Sequence, residues 1–520
     1  MSPPPTWLER VRHPPCDLGP PRGEDVRRPG PWLAAVTLLA ILLRSHQLGS
    51  DLWLDEITTV LDSRATGWWE IATTFKIAGR HVLNSLLVKA MVEIAGPSEW
   101  SVRLPAAVLG VAGVPAIYLL ARPVFRRREA LLVALLLATS YHAVFFSQNA
   151  RGYTGHLLGA MLSTAFFLRA LAGGKARDWL LHGVSTVFAT AAMLLSLFVF
   201  AGHVATLAAV VGLRVRRRQP VAALLKTAAA TWGLTGLALG LLLARILPAL
   251  AGYVGPTYRS EGLGFAPFSR AHLQEWLSGL AAGFGGVPAA VAAVALLGVG
   301  WLVFSRRYPI YSLALCSPVA LLAAYHLAAG LRVSPRFFLW GLPVALLFLV
   351  GTPSVLGDRF GGKAARWLPV GLVGLTVIGS LASLPAYYRA PKQPNRRSLE
   401  WVLERRADNE PIAGAYLAKW GLRFYGPRHG LAEGDGFHVV HEVAELTALE
   451  AEGNVWLLTT FRPALAAEHP RLARYVEDHY HRVRKFPATV RGADVQVWRR
   501  RGADTDPRPD ESSEPSEIPP

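Results

Sequence analysis

The sequence predicts a polytopic all-α membrane protein that carries a small α/β domain after its last span, and three observations predict it. Of 520 residues, 52% are hydrophobic and only 17% are charged, against about 25% charged in soluble globular proteins. Mean hydropathy is +0.30, and apolar runs such as 130–140 and 342–350 sit inside stretches long enough to cross a bilayer. After Tyr388 the pattern changes to short, more polar helix-like and strand-like segments. The net charge of +18 would suggest a nucleic-acid partner in a soluble chain. Here the basic residues fall in short loops between apolar spans, which marks topology and excludes nucleic acid as the partner. Cys16, in a polar stretch, and Cys316, in an apolar run, form neither a disulfide nor a metal framework.

Residues 1–30 are rich in Pro and Arg and lack an apolar segment, so they read as a cytoplasmic tail without a cleavable signal. Arg27 and Arg28 precede a first span at 31–43 and place the N-terminus inside. Residues 50–80, with Trp53, Trp68 and Trp69, suit the membrane–water interface. The stretch 81–95 is apolar but carries Asn84, Lys89 and Glu93, and reads as an interfacial helix. Further spans are expected at 101–121, 129–149, 153–171, 179–196, 198–213, 223–247, 289–303, 311–329, 337–350 and 368–387, about eleven in all. On this count the basic loops 122–128, 175–177, 214–218, 306–307 and 359–366 all lie inside. The segments 147–153, 249–287 and 331–336, and everything beyond Arg389, lie outside. The expected domains are therefore a tail (1–30), a membrane domain (31–388), an extracytoplasmic α/β domain (389–500) and a disordered acidic tail (501–520). The α/β domain carries helix-like segments at 398–406, 443–452 and 471–480, and strand-like ones at 411–417, 455–460 and 493–498.

Chemistry concentrates just after the first span, in Leu52-Trp53-Leu54-Asp55-Glu56. Charged groups at bilayer-centre depth are costly, about 2.5–3.5 kcal/mol on insertion scales, so acids so placed are interfacial or functional. There is no Gly-rich dinucleotide motif or P-loop. An Asp-x-Asp triplet, Asp504-Thr505-Asp506, lies in the polar tail.

Four stretches in order resemble the GT-C class of membrane glycosyltransferases: Leu52–Glu56; Glu99-Trp100-Ser101-Val102-Arg103-Leu104-Pro105-Ala106-Ala107; Ser147-Gln148-Asn149-Ala150-Arg151-Gly152-Tyr153; and Pro335-Arg336-Phe337-Phe338. Within that class the chain is similar to bacterial protein-mannosyltransferase-like enzymes, the family that includes lipid A aminoarabinose transferases and lipopolysaccharide-core glycosyltransferases. The exit from the last span, with Lys392 and Arg396, is similar too. The resemblance implies a GT-C fold in a bacterial inner membrane, with the active site and C-terminal domain on the extracytoplasmic side. It implies inverting transfer of a sugar from a polyprenyl-phosphate carrier to a lipid, glycan or protein acceptor.

Such a reaction needs a base for the acceptor hydroxyl and cations for the departing phosphate. The resemblance makes Asp55 the base, with Glu56 supporting it by hydrogen bonding or through a divalent metal. It makes His81, Arg151, Tyr153, Arg245 and Arg336 substrate contacts, arginine being suited to phosphate by its planar fork. The chain departs from the family at Val82 and Leu83, where prolines usually follow His81, and at Asn149, where relatives carry Glu. A carboxamide does not ionise, so a second essential carboxylate would fall to Glu56 or Asp62. On the residues alone two other classes stay open. A transporter or flippase for a lipid-linked or amphipathic solute suits the Gly- and Pro-bearing spans, but the acids cluster at one face and no internal repeat shows. A scaffold without activity rests on Asn149.

Overall fold

The computed structural model describes residues 30–74, 80–173, 175–249, 287–329, 334–360, 363–408 and 410–502, with isolated positions between 274 and 281. The expected tails at 1–29 and 503–520, and most of the expected outer loop 249–287, lie outside the described residues.

Among the described residues six helices are long and apolar enough to cross a membrane: Glu99–Ala121, Tyr153–Gly173, Ser196–Arg216, Ala222–Leu243, Pro309–Ala329 and Pro369–Arg389. Arg127–Thr139 and Tyr141–Ser147 make a seventh if the bent pair counts as one span. Of the eleven expected spans, six or seven meet that length and apolarity among the described residues, and several of the others form helices with shifted bounds. The first helix, Gly30–Ser45, has 16 residues, roughly 24 Å at 1.5 Å per residue, short of a hydrocarbon core of about 30 Å. The span expected at 179–196 is a 17-residue helix, Ala176–Ala192, ended by Met193 in extended conformation. The span expected at 337–350 opens on a 3₁₀ turn, Pro335–Phe338, and its helix runs over Gly341–Phe360. The expected interfacial helix forms over Val82–Ala95 and has 14 residues.

By internal contacts the chain divides into two compact units. One comprises Met1–His46, Gly67–Leu87 and Leu104–Ser383 and contains most of the apolar helices. Its helices approach closely where side chains are small: a Cβ on Gly159 would come 2.6 Å from Cβ of Ala189, the small-residue packing that lets helices associate without a hydrophobic driving force. The span expected at 129–149 bends by 56° at Ser140. A side chain enters the ladder there, the usual cause of a sharp kink. Ser380 Oγ accepts from Tyr141 N at 2.7 Å and donates to Thr139 O at 3.0 Å. Arg44, buried beside the break, donates to Ala138 O, Leu137 O and Ser147 Oγ at 2.9, 3.2 and 3.0 Å.

The other unit comprises Gln47–Thr66, Val88–Arg103 and Leu384–Pro520. Its centre is a six-stranded sheet in the order β2-β3-β1-β4-β6-β5. The strands are β1 Ile412–Ala415, β2 Ala432–Glu433, β3 Gly436–Val440, β4 Trp456–Thr459, β5 Tyr480–Phe486 and β6 Val495–Arg500. β2, β3, β1 and β4 run parallel, while β6 and β5 continue the sheet antiparallel. Leu446, Leu457, Leu465, Val476 and Tyr480 fill one face. The strand-like segments read from sequence correspond to β1, β4 and β6. β3 and β5 carry His438, His481 and Arg484 on half-exposed positions and Arg482 on an exposed one, and lack a plain apolar signature.

Candidate functional site

Asp55 and Glu56 open the helix Leu54–Ala65, where carboxylates complement the positive end of the helix dipole. They do different work. Glu56 is fully buried and forms a bidentate pair with Arg103, itself 1% exposed. Arg103 Nε reaches Glu56 Oε1 at 2.7 Å and its terminal nitrogen reaches Oε2 at 2.6 Å. Oε2 also accepts from Trp53 N at 3.3 Å, in the manner of a capping box. The remaining Arg103 donors take the carbonyls of Leu48, Ser50 and Asp51 at 3.0, 2.6 and 2.9 Å. Every face of the fork is used, which is what keeps a buried ion pair from being a liability.

The loop before Asp55 is fixed at further points by the C-terminal part of its own unit. Tyr425 Oη accepts from Leu52 N at 2.8 Å, Gln393 Oε1 accepts from Leu54 N at 2.8 Å, and Asn395 Nδ2 donates to Leu52 O at 3.0 Å. Asp51, also buried, accepts from Arg397 N at 3.1 Å and pairs with Arg396 at 3.3 Å. Arg396 and Arg428 both pair with Glu99, at 3.2 and 2.9 Å. Asp55 is half-buried on this frame. Lys392, 2% exposed, has its ammonium pushed down to about 7 by burial; Arg103 adds to the effect and Glu56 opposes it.

The other expected residues lie in the helical unit. His81 is buried before the helix Val82–Ala95, and its Nδ1 donates to Ala192 O at 3.1 Å. Its ring is 5.7 Å from that of Tyr153, which is 4.7 Å from Phe146. Burial, then the charge of Arg151, then that of Arg336 push its imidazole well below the ordinary range, against the pull of the Ala192 bond. Arg151 and Arg336, 185 positions apart in sequence, therefore act on one histidine. The turn carrying Arg151 is fixed by Asn84 Nδ2, which donates to Ala150 O at 2.8 Å, and by Gln148 Nε2, which donates to Arg44 O at 2.9 Å. Gly152 is required there, because a Cβ would run into the carbonyl of Ala192. Arg336 is exposed in the 3₁₀ turn. Arg245 is exposed just beyond the helix Ala222–Leu243, next to Leu243 and Ile246, which with Arg80, His81 and Val82 line a small pocket.

Asp62 accepts from Thr66 Oγ1 at 3.3 Å, Lys89 pairs with Glu93 at 3.1 Å, and His203 is a core histidine bonded to Thr164. Among the described residues no three of His, Cys, Asp and Glu gather closely enough to hold a metal ion. With both Glu56 oxygens on Arg103, Glu56 does not fit as a divalent-cation ligand. Sequence reasoning missed Arg103 as the partner of Glu56. The signal was a lone arginine inside an apolar helix, which must find a partner.

This architecture is the GT-C fold, in a multi-pass membrane protein. Residues 82–240 match the sequence profile of the family described as dolichyl-phosphate-mannose-protein mannosyltransferase. The oligosaccharyltransferase of Archaeoglobus fulgidus, solved with Zn and sulfate, superposes with a TM-score of 0.53 at 13% identity, covering 86% of this chain and 71% of that one. The same enzyme tethered to an acceptor peptide containing the NVT sequon gives 0.51 at 12%, covering 90% and 73%. ArnT from Cupriavidus metallidurans, in the apo state, gives 0.41 at 13%, covering 90% and 97%. No curated protein matches the chain.

Proposed function

We propose that this chain is an integral membrane glycosyltransferase that moves a sugar from a polyprenyl-phosphate carrier to an acceptor outside the cytoplasm. The observation that carries the reading is the division of roles between adjacent carboxylates: Glu56 is bound into a buried pair with Arg103, and Asp55 is held half-buried at the first turn of the same helix. Asp55 removes the proton from the acceptor hydroxyl as that oxygen bonds the anomeric carbon from the face opposite the phosphate. The bond from carbon to phosphate oxygen breaks, and the lipid phosphate leaves with the added negative charge. Arg151 and Arg336 receive that charge. Glu56 and Arg103 are positioning residues. The family profile over 82–240 supports a polyprenyl-phosphate donor, and the shared fold supports transfer over transport.

The test uses purified protein in nanodiscs with a polyprenyl-phosphate sugar labelled in the sugar. Asp55→Asn keeps shape and hydrogen bonding but removes the base, and should lower turnover by about 10²–10⁴-fold, with donor binding little changed. Near-normal transfer by this variant would sink the assignment. Movement of intact donor across the bilayer, with no bond cleaved, would turn the reading to a flippase. The orientation proposed is N-terminus inside, with Asp55 and the sheet outside. Reporter fusions at Arg216 and Arg500 should read cytoplasmic and extracytoplasmic, and a cytoplasmic Arg500 overturns that arrangement.

A further inference from the structure

The sheet of the second unit is wound in both directions from its centre. β1 connects to β3 on one side, and the chain then crosses β1 to enter β4 on the other. In open α/β sheets the carboxyl ends of the strands at such a reversal leave a crevice where ligands bind. Here that edge is unusual in its backbone. The residue directly after β1, Tyr416, has φ of 50°, and Phe461, two residues after the end of β4, has φ of 47°. Bulky residues in the left-handed region are strained, and such strain concentrates at binding sites. Both flank the reversal.

Three half-buried rings gather at the same edge. Tyr416 lies 4.8 Å from His469 and 6.4 Å from His441, and the two histidines are 5.3 Å apart. His441 follows β3 directly, and His469 begins the turn into the helix Pro470–His479. Lys419 and Glu445 border the rings. Glu445 accepts from the backbone of His441 and Glu442 at 2.6 and 3.1 Å. Arg423 is matched by Glu433 at 2.7 Å. Burial, then the charges of Lys419 and His469, push the His441 imidazole down, so near neutral pH it offers one N–H and one lone pair.

The edge thus combines apolar ring faces with hydrogen-bond donors and acceptors, and its fixed charges of opposite sign balance. An anion needs an excess of cations, and an apolar ligand needs no such polar rim. A polyol with an apolar face satisfies both features. The geometry points to a saccharide-binding site formed by Tyr416, His441 and His469 at the carboxyl edge of β1, β3 and β4. This deepens the transferase reading, on which it rests only for naming the bound saccharide as acceptor.

The experiment titrates the full-length protein in nanodiscs, with isotope-labelled histidine, against methyl α-mannopyranoside and maltotriose. The His441 and His469 signals, assigned with His441→Gln and His469→Gln, should shift saturably. Tyr416→Asn keeps a residue that tolerates the left-handed region and removes the ring, so it should weaken binding by roughly tenfold. Signals that stay still with both saccharides, or an unchanged affinity in Tyr416→Asn, overturn the site. Saccharide binding in a protein that transfers no sugar keeps the site and removes the transferase reading. Sugar transfer by a protein whose histidines ignore both saccharides does the reverse.

Discussion

Around Glu56 the polypeptide gathers opposite charges in buried pairs, and around His81 two arginines bear on one buried imidazole. In the first region Arg103, Arg396 and Arg428 meet Glu56, Asp51 and Glu99 in short pairs whose acids are buried, the Arg103–Glu56 pair wholly out of water. In the second, Arg151 and Arg336 both bear on a buried histidine and disfavour its protonation. The first arrangement is suited to holding a backbone still. The second is proposed to receive the departing phosphate, which arginine suits by its planar fork. The carboxylate proposed as base stands on the rigid region, and the cations proposed for the leaving group stand on the receptive one.

The contrast breaks most forcefully at Arg103. Arg103→Met leaves Glu56 buried without its fork and should remove about 3–5 kcal/mol of stability, read as a fall in the unfolding midpoint. The double variant Arg103→Met/Glu56→Leu should regain most of that stability, since apolar replacement of a whole buried pair is often neutral. Its turnover then decides the matter. If it works as well as the parent, the pair serves only the fold and does not position Asp55.

The receptive region should respond in binding instead of in folding. Arg336→Ala and Arg151→Ala should each weaken donor affinity by roughly 10–100-fold, the scale of one charge-assisted contact, with little change in the unfolding midpoint. Each should also let His81 titrate at higher pH, since a charge opposing its protonation is gone. A His81 signal that titrates unchanged in both variants would separate the arginines from the histidine.

A gradual effect, spread over several pH units, is a pH dependence of stability at Lys392. Its folded pKa of about 7 lies below the ordinary lysine value of 10.5. Between those limits the unfolded chain holds a proton that the folded chain has released, so stability rises with pH across that window. The slope is at most about 1.4 kcal/mol per pH unit. Below pH 7 both states are protonated and this contribution is flat. Lys392→Met should abolish the rise, and a slope that survives the substitution would assign it to another group.

Much of this was legible in the sequence. Four short stretches and their order marked the GT-C fold, and Leu52–Glu56 stands as the proposed site. The span bounds moved where apolarity and helix geometry part company. A run of apolar residues does not reveal that Ser380 will enter the ladder at Ser140, or that Phe337 will sit in a 3₁₀ turn. The clamp was illegible for another reason. Glu56 and Arg103 were each read within their own motif, and neither motif states that the two meet across 47 positions. Tyr425, Gln393 and Asn395 carry no local signature at all, because their work is done on the backbone of a distant loop.

That loop also settles what can be cut. The segment after the last span invites removal as an appendage, since it begins after Arg389 and holds a sheet of its own. Yet Gln393, Asn395, Arg396, Arg397 and Tyr425 supply hydrogen bonds and ion pairs to residues 51–54. A truncation before them would take away the mould in which the start of Asp55's helix is cast. The last quarter of the polypeptide and the loop at 51–54 work as one part, and exchanging one without the other would break these bonds.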